Sequence, residues 1–397
     1  NGSITEASAV LSEALSNAVI VDGTPPTAVI NDNHPDNIVR DADNITITIE
    51  FTEANGIDES APPTISIGSV VTNAPLNRVS NLIWNYVWDV PGGIDESAAV
   101  TVTARDVPGN VLSVLNAGTG PTTYIIDNTR PVVNSITRLD PSPTTASSIR
   151  FQVVFSEPVV GVVPGDFTLD ASSGNISSVI GTGDTYVVTA AGLAGLTETV
   201  GINVLIAGAT PALIDDIAGN RLNVSFTTGE TYEIDYLPPS TGILYPSDDQ
   251  FNVPIASNLL IQFDEDILVN TGNIRLRLFS DNSIVETFSV GSVSFNGTNE
   301  LEINPTIDLV EGTEYYVEID AGAVRDIAGN LFAGISGNSD WNFTTFSAPV
   351  IANIPTVGCV GQNITITGSF LTGVTSAVFY GTGGVEISTN DITIVND

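Results

Sequence analysis

The turn "RDVPGN" at 105–110 returns as "DDIAGN" at 215–220 and "RDIAGN" at 325–330, so Asp106, Asp216 and Asp326 stand at a constant interval of 110 residues. A repeat of that length is the signature of tandem modules, each a folding unit of its own. Two other elements keep fixed places around the turn. "VIVDGTPPTAVI" (19–30), "YIIDNTRPVVNSI" (124–136) and "YEIDYLPPSTGIL" (232–244) share a strand-like run, an acid (Asp22, Asp127, Asp235) and then a proline. Proline fixes φ and has no N–H for a ladder, so it ends one strand and stiffens the crossing to the next unit. "FTE" (51–53), "FSE" (155–157) and "FDE" (263–265) each close an apolar strand. The junctions predict an end of a preceding unit at 1–21, complete units at 22–126, 127–236 and 237–346, and a partial unit at 347–397.

Between these landmarks the pattern has period two. "NIRLRLFS" (273–280) alternates, turns at "DNS" and returns as "IVETFSV", which is a hairpin. "LEINP", "EYYVEID", "DTYVVTA" and "TVGINVLIAG" alternate likewise, and the best helical candidate is the Ala- and Leu-rich stretch 5–19. About seven short strands per unit, with turns every 8–12 residues, predict an all-β chain of Ig-like sandwiches arranged as an elongated multi-domain rod.

Composition narrows the partners. The formal charge is −36, and all ten basic residues are arginines. Such a surface repels phosphates and anionic lipid heads, so nucleic acid is excluded as a partner. At 42% hydrophobic and 14% charged the chain lacks the signature of disorder. With no apolar run of about 18 residues, membrane insertion is not expected, and no secretory leader is visible. A start at Asn1 suggests a processed chain or a fragment, and the short last unit suggests continuation past Asp397. Cys359 is the one cysteine and has no partner for a disulfide; a buried, inert thiol is expected. Without lysine, Lys–Asn isopeptide cross-links cannot form.

Antiparallel topology brings the three repeated acids together. If strand A runs down from the junction and strand B returns, the glutamate closing strand B arrives at the pole where the chain came in. The turn before the last strand reaches that pole too. The trios are Asp22/Glu53/Asp106, Asp127/Glu157/Asp216 and Asp235/Glu265/Asp326, with Asp215, Asp264 and Asp266 adding nearby oxygens. Carboxylates gathered at one point repel unless a cation sits among them. Ca²⁺ takes 6–8 oxygen ligands, and no trio contains a soft donor, so calcium is the expected ion. Turn chemistry is the competing account: Asp-x-x-Gly-Asn bonds its own backbone and tolerates φ > 0 without any ion.

Other candidates are weaker. Trp84, Tyr86 and Trp88 in "NLIWNYVWDV" share a strand face, as a sugar platform if exposed and as core if buried; core is expected. His34 in "NDNHPDN" is the one histidine and reads as a solvated loop residue, which removes Ser-His-Asp and Cys-His catalysis. Paired carboxylates can hydrolyse glycosides, but acids in repeated, equivalent places do not suit a single active site, so no enzyme is expected. Asp58 and Asp95, in the repeated loops "IDESAPP" and "IDESAAV", are possible extra cation ligands.

At the residues "FSEPVVGVVPGDFTLD" through "DDIAGN" the second unit resembles the bacterial Ig-like modules of large secreted adhesins. "YPSDDQFNVPIASNLLIQFDEDI" with "EYYVEIDAGAVRDIAGN" is similar to the S-layer-type Ig-like domain over almost all of 237–346. The first unit is similar to a related bacterial Ig-like repeat but has Pro108 where alanine is usual. The tail, through "GQNITITGSFL" and "AVFYG", resembles the start of an IPT/TIG domain. The resemblance implies a bacterial cell-surface or secreted, extracellular stalk segment. Its partners would be neighbouring Ig-like domains of the same chain, with surface glycans or proteins engaged outside this segment, and calcium stiffens junctions in many relatives. A glycan- or protein-binding module and an accessory region of an extracellular hydrolase are the alternatives.

Overall fold

The computed structural model describes residues 22–208, 211–354, 363–371, 374–380, 386–389 and 393. The expectations for 1–21, including the helical candidate, and for Cys359 fall outside these residues. The described chain is all-β, a tandem of Ig-like β-sandwiches, with two short 3-10 turns and no α-helix. Its contacts group into two compact units: the described residues of Asn1–Leu139, Ile149–Ala191 and Gly201–Thr231, and those of Asp140–Ser148, Gly192–Val200 and Tyr232–Asp397.

In the first unit, repeat one forms two five-stranded sheets. One runs in the order Asn77–Arg78, Ile83–Asp89, Asn44–Thr52, Thr27–Asn31, Val114–Ala117, and the other Ile38–Val39, Thr123–Ile126, Glu96–Thr103, Thr64–Ile67, Val71–Pro75. Asn44–Thr52 shows why they pack: alternation turns Ile45, Ile47, Ile49 and Phe51 inward and leaves their neighbours toward solvent. Trp84 and Trp88 lie in the same core, and the Trp88 ring meets Tyr124 edge-on at 5.3 Å. Each such aromatic contributes about 2–3 kcal/mol through burial, so the aromatic strand is core, as its spacing suggested. The first strand pairs antiparallel with Asn44–Thr52 and parallel with Val114–Ala117, and the last strand, Thr123–Ile126, pairs parallel with Ile38–Val39.

Repeat two places Val133–Arg138, Ser148–Phe155, Thr185–Ala191 and Asn175–Thr182 in one sheet. Glu198–Val204 pairs through 201–204 with Phe167–Asp170 and through 198–200 with Tyr232–Ile234. In the second unit, repeat three packs a four-stranded sheet (Thr241–Tyr245, Leu259–Phe263, Glu300–Ile303, Ser294–Asn296) on a five-stranded one (Gln250–Val253, Asn342–Thr345, Glu314–Ile319, Asn273–Leu278, Ile284–Ser289). The expected hairpin is present, with Asn273 opposite Ser289 and Asn282 at φ 61 in the turn. The tail contributes two hairpins, Val350–Asn353 with Thr367–Ser369 and Ala377–Tyr380 with Glu386–Thr389.

One small element decides where the acids lie. In repeat three Ile267–Val269 pairs with Val324–Asp326, so Ile267 sits opposite Asp326. In repeat two Val159 sits opposite Asp216, and in repeat one a single bridge joins Ile57 to Asp106. The chain leaving the glutamate that closes strand B is thereby hydrogen-bonded to the Asp-x-x-Gly-Asn turn in each repeat.

Candidate metal centres

Each site starts from a strand end. Phe51, Phe155 and Phe263 are buried, and alternation aims the side chain two residues on toward the same face. Glu53, Glu157 and Glu265 therefore leave the strand over the end of the core and are half-buried. The small ladder then draws the turn alongside. Asp106, Asp216 and Asp326 are buried, at 0%, 2% and 1% exposure, which is affordable only because their oxygens are bonded. The amide N–H of Asn110, Asn220 and Asn330 donates to Oδ1 of these acids at 2.6, 2.8 and 2.7 Å. The preceding glycines have φ of 105°, 88° and 106°, which an L side chain rarely adopts. The turn reading of the motif is therefore correct for Asp, Gly and Asn as a group.

The asparagine does more than the sequence suggested. Its Nδ2 donates to Oδ2 of the turn acid and to the backbone carbonyl of the junction acid: Asn110 to Asp22 at 2.9 Å, Asn220 to Asp127 at 2.9 Å, Asn330 to Asp235 at 2.8 Å. One side chain thus ties the incoming segment to the turn in every repeat. The signal was in the sequence as an asparagine at each 110-residue interval, but a turn asparagine has an ordinary explanation of its own.

The three trios assemble as their spacing predicts. In each of Asp22/Glu53/Asp106, Asp127/Glu157/Asp216 and Asp235/Glu265/Asp326, one carboxylate oxygen per residue lies within 4.8 Å of the others. The added acids do not join them. Asp215 is paired with Arg221 at 2.8 and 3.0 Å, and Asp264 accepts from Ser240 N and Oγ at 2.7 and 2.6 Å. Asp266 is exposed, and Asp264 and Asp266 act on Glu265 through charge alone. Asp58 is bonded to Ser60, and Asp95 to Asn128 and Thr129. His34 departs from the solvated reading: its ring is 18% exposed, with Asp36 and Asp43 each 3.6 Å from a ring nitrogen.

The electrostatics separate the sites. Burial, then the charges of Asp127, Asp216 and Asp95, push Glu157 up to about 7, and Glu157 Oε1 is buried with no hydrogen-bond partner. Burial, then Asp326 and Asp235, raise Glu265 to about 7 as well. Asp127 is raised, chiefly by burial. Asp22 is instead lowered, by the N–H of Thr24 and by Asn55. The donor set is oxygen only, and a hard divalent cation is the ligand that such convergent carboxylates and an orphaned oxygen fit. Asp22, Glu53, Asp106 and their counterparts would hold it, each supplying a carboxylate oxygen.

Residues 235–345 match the bacterial Ig-like domain family. No curated protein matches the chain. Among solved structures it is similar to a three-Ig segment of titin, with 12% identity over 82% of this chain and 98% of that one, TM-score 0.25. It is also similar to a segment of intimin (12% identity, 52% and 99%, TM-score 0.21) and to the BSP domain of biofilm-associated protein (10%, 87% and 71%, TM-score 0.22). No helix among the described residues is long and apolar enough to cross a membrane.

Proposed function

We propose that the chain is a stalk segment of a bacterial cell-surface or secreted adhesin, in which calcium bound by the junction trios stiffens successive Ig-like units. The repeats run 22–126, 127–236 and 237–346, the third of S-layer type, and 347–397 begins an IPT/TIG-like unit. The stalk holds a binding region, located elsewhere in the protein, away from the cell. The observation that carries this reading is the recurrence of one carboxylate trio, within 4.8 Å, at the start of all three repeats. A turn needs its aspartate; it does not need a desolvated glutamate with an unpartnered oxygen beside it. The match of residues 235–345 to the bacterial Ig-like domain family supports a bacterial Ig-like module.

The test is calorimetric. Calcium is expected to raise the melting temperature over that in chelator, and Glu157→Gln with Glu265→Gln to remove most of the gain. Identical thermograms with calcium and with chelator would sink the proposal.

A further inference from the structure

The junction between repeats one and two carries hydrogen bonds that no cation requires. Asn128, immediately after the junction acid, has its amide fully engaged by loops of repeat one. Its Nδ2 donates to the carbonyls of Pro91 and Ile94 at 3.1 and 2.7 Å, and its Oδ1 accepts from Asp41 N at 2.8 Å. Its backbone N–H donates to Asp95 Oδ1 at 2.6 Å, and Thr129 Oγ1 donates to Asp95 Oδ2 at 2.7 Å. One residue earlier, the carbonyl of Asp127 accepts from Asn220 of repeat two at 2.9 Å. Arg130, two residues after Asn128, donates to the carbonyl of Arg221 at 3.1 Å.

A single peptide is thus bonded to both repeats. The Asp127–Asn128 peptide accepts from Asn220 of repeat two through its carbonyl and donates to Asp95 of repeat one through its N–H, and the Asp127 N–H donates to the Val39 carbonyl of repeat one at 2.9 Å. Because that peptide is rigid, only the dihedrals on either side of it are left for bending. A side contact closes the joint further. A Cβ on Gly219 would meet Arg40 Nε of repeat one at 3.3 Å, whereas among the described residues nothing lies within 4 Å of a Cβ on the equivalent Gly329. Arg40 also lowers the carboxyl of Asp215, after the stronger effect of Arg221.

Among the described residues the next junction lacks the device. Tyr236 follows the junction acid Asp235, and Thr197 stands where Asp95 does, just before a core strand. Their contact is one bond, from Tyr236 N to Thr197 Oγ1 at 3.1 Å. A tyrosine ring cannot supply the two donors and one acceptor that a primary amide places in one plane.

We propose that the loops Arg40–Asp43 and Pro91–Asp95 form a docking interface for the incoming segment Asp127–Arg130 of the following repeat, with Asn128 as its peg, and that this interface fixes the joint with no cation bound. The partner it fits is a neighbouring Ig-like repeat that presents an amide side chain directly after its junction acid. The inference stands apart from the calcium reading, which concerns the carboxylates on the other side of Asp127.

Spin labels on exposed positions of the two repeats, Val87→Cys and Ile180→Cys, in the full chain with Cys359→Ser, report the joint through their distance distribution. The distribution is expected to be equally narrow in calcium and in chelator, and to broaden in both with Asn128→Ala. Hydrogen exchange gives a second readout: the Asp41 amide, which donates to Asn128 Oδ1, should exchange about tenfold faster in the variant, the effect of one lost hydrogen bond. Asn128→Asp, which sets an anion against the Pro91 and Ile94 carbonyls, should act in the same direction. A distribution that broadens on chelation of the parent chain to the width of Asn128→Ala overturns the proposal, as does an unchanged distribution in both variants. Calcium-dependent melting of Asn128→Ala should persist, so failure of the peg and failure of the calcium reading give different results.

Discussion

The first trio and the later two contain the same acids at the same separation, yet their glutamates differ. Glu157 and Glu265 are pushed up to about 7 by burial and by the acids they face. At Glu53, Oε1 accepts the N–H groups of Ala54 and Asn55 at 2.7 and 2.9 Å, and Asn55 Nδ2 reaches Asp22 at 2.7 Å. The cause is length. Val159 and Ile267, two residues beyond the glutamate, pair with the turn acid, whereas in repeat one that place falls to Ile57, four residues on. The added loop supplies donors that stand in for a cation. Proximity of carboxylates is therefore a poor measure of how strongly a site calls for an ion; the balance of donors around them is a better one.

The largest expected effect tests what the sites share. Asp106→Ala, Asp216→Ala and Asp326→Ala each leave buried amide donors unsatisfied and should destabilise their own repeat by about 3 kcal/mol, similarly in all three, by denaturant titration. Next come the glutamates, where the sites should part. In chelator at pH 8, Glu157→Gln and Glu265→Gln remove repulsion and should stabilise their repeats by about 1 kcal/mol, the scale of a solvent-screened charge interaction. Glu53→Gln should not stabilise, since it removes an acceptor from two N–H groups, and an equal gain at all three sites would break the comparison.

The pH dependence has a definite sign. A glutamate raised from 4.5 to about 7 contributes stability that is whole below about 4.5 and is lost as pH rises through about 7. In chelator, melting of repeats two and three should fall across that window, and calcium should restore most of the loss at pH 8. The smallest effect is expected from Asn55→Asp, which turns the stand-in donor into a fourth acid. It should increase the calcium response of repeat one by a few degrees in melting temperature, the shift expected for under 1 kcal/mol.

The trios were readable because three acids recur at constant intervals and because antiparallel strands return to the pole they left. The alternating strands, and the burial of Trp84 and Trp88, were readable for the same kind of reason. What escaped was short or nonlocal. Ile267–Val269 and Val324–Asp326 are too brief to show a period, yet they set the glutamate against the turn. Asp215 and Asp264 were grouped with the sites by closeness in sequence, and only the fold shows that Arg221 and Ser240 hold them. The role of Asn128 depends on loops from 91–95 and 41, which no local pattern joins to it.

Parallel pairing between early and late segments of each repeat has a further consequence. Thr27–Asn31 lies parallel to Val114–Ala117, Thr144 bridges Ile234 in parallel, and Gln250–Val253 lies parallel to Asn342–Thr345. Tension between the two ends of a repeat would drag such strands past one another in shear, so that their bonds share the load and fail together instead of unzipping singly. Repeat one, with two parallel pairs between Ile38–Val39 and Thr123–Ile126 and four between Thr27–Asn31 and Val114–Ala117, should then rupture at higher force than repeat two, with a single parallel bridge among the described residues, when the chain is stretched.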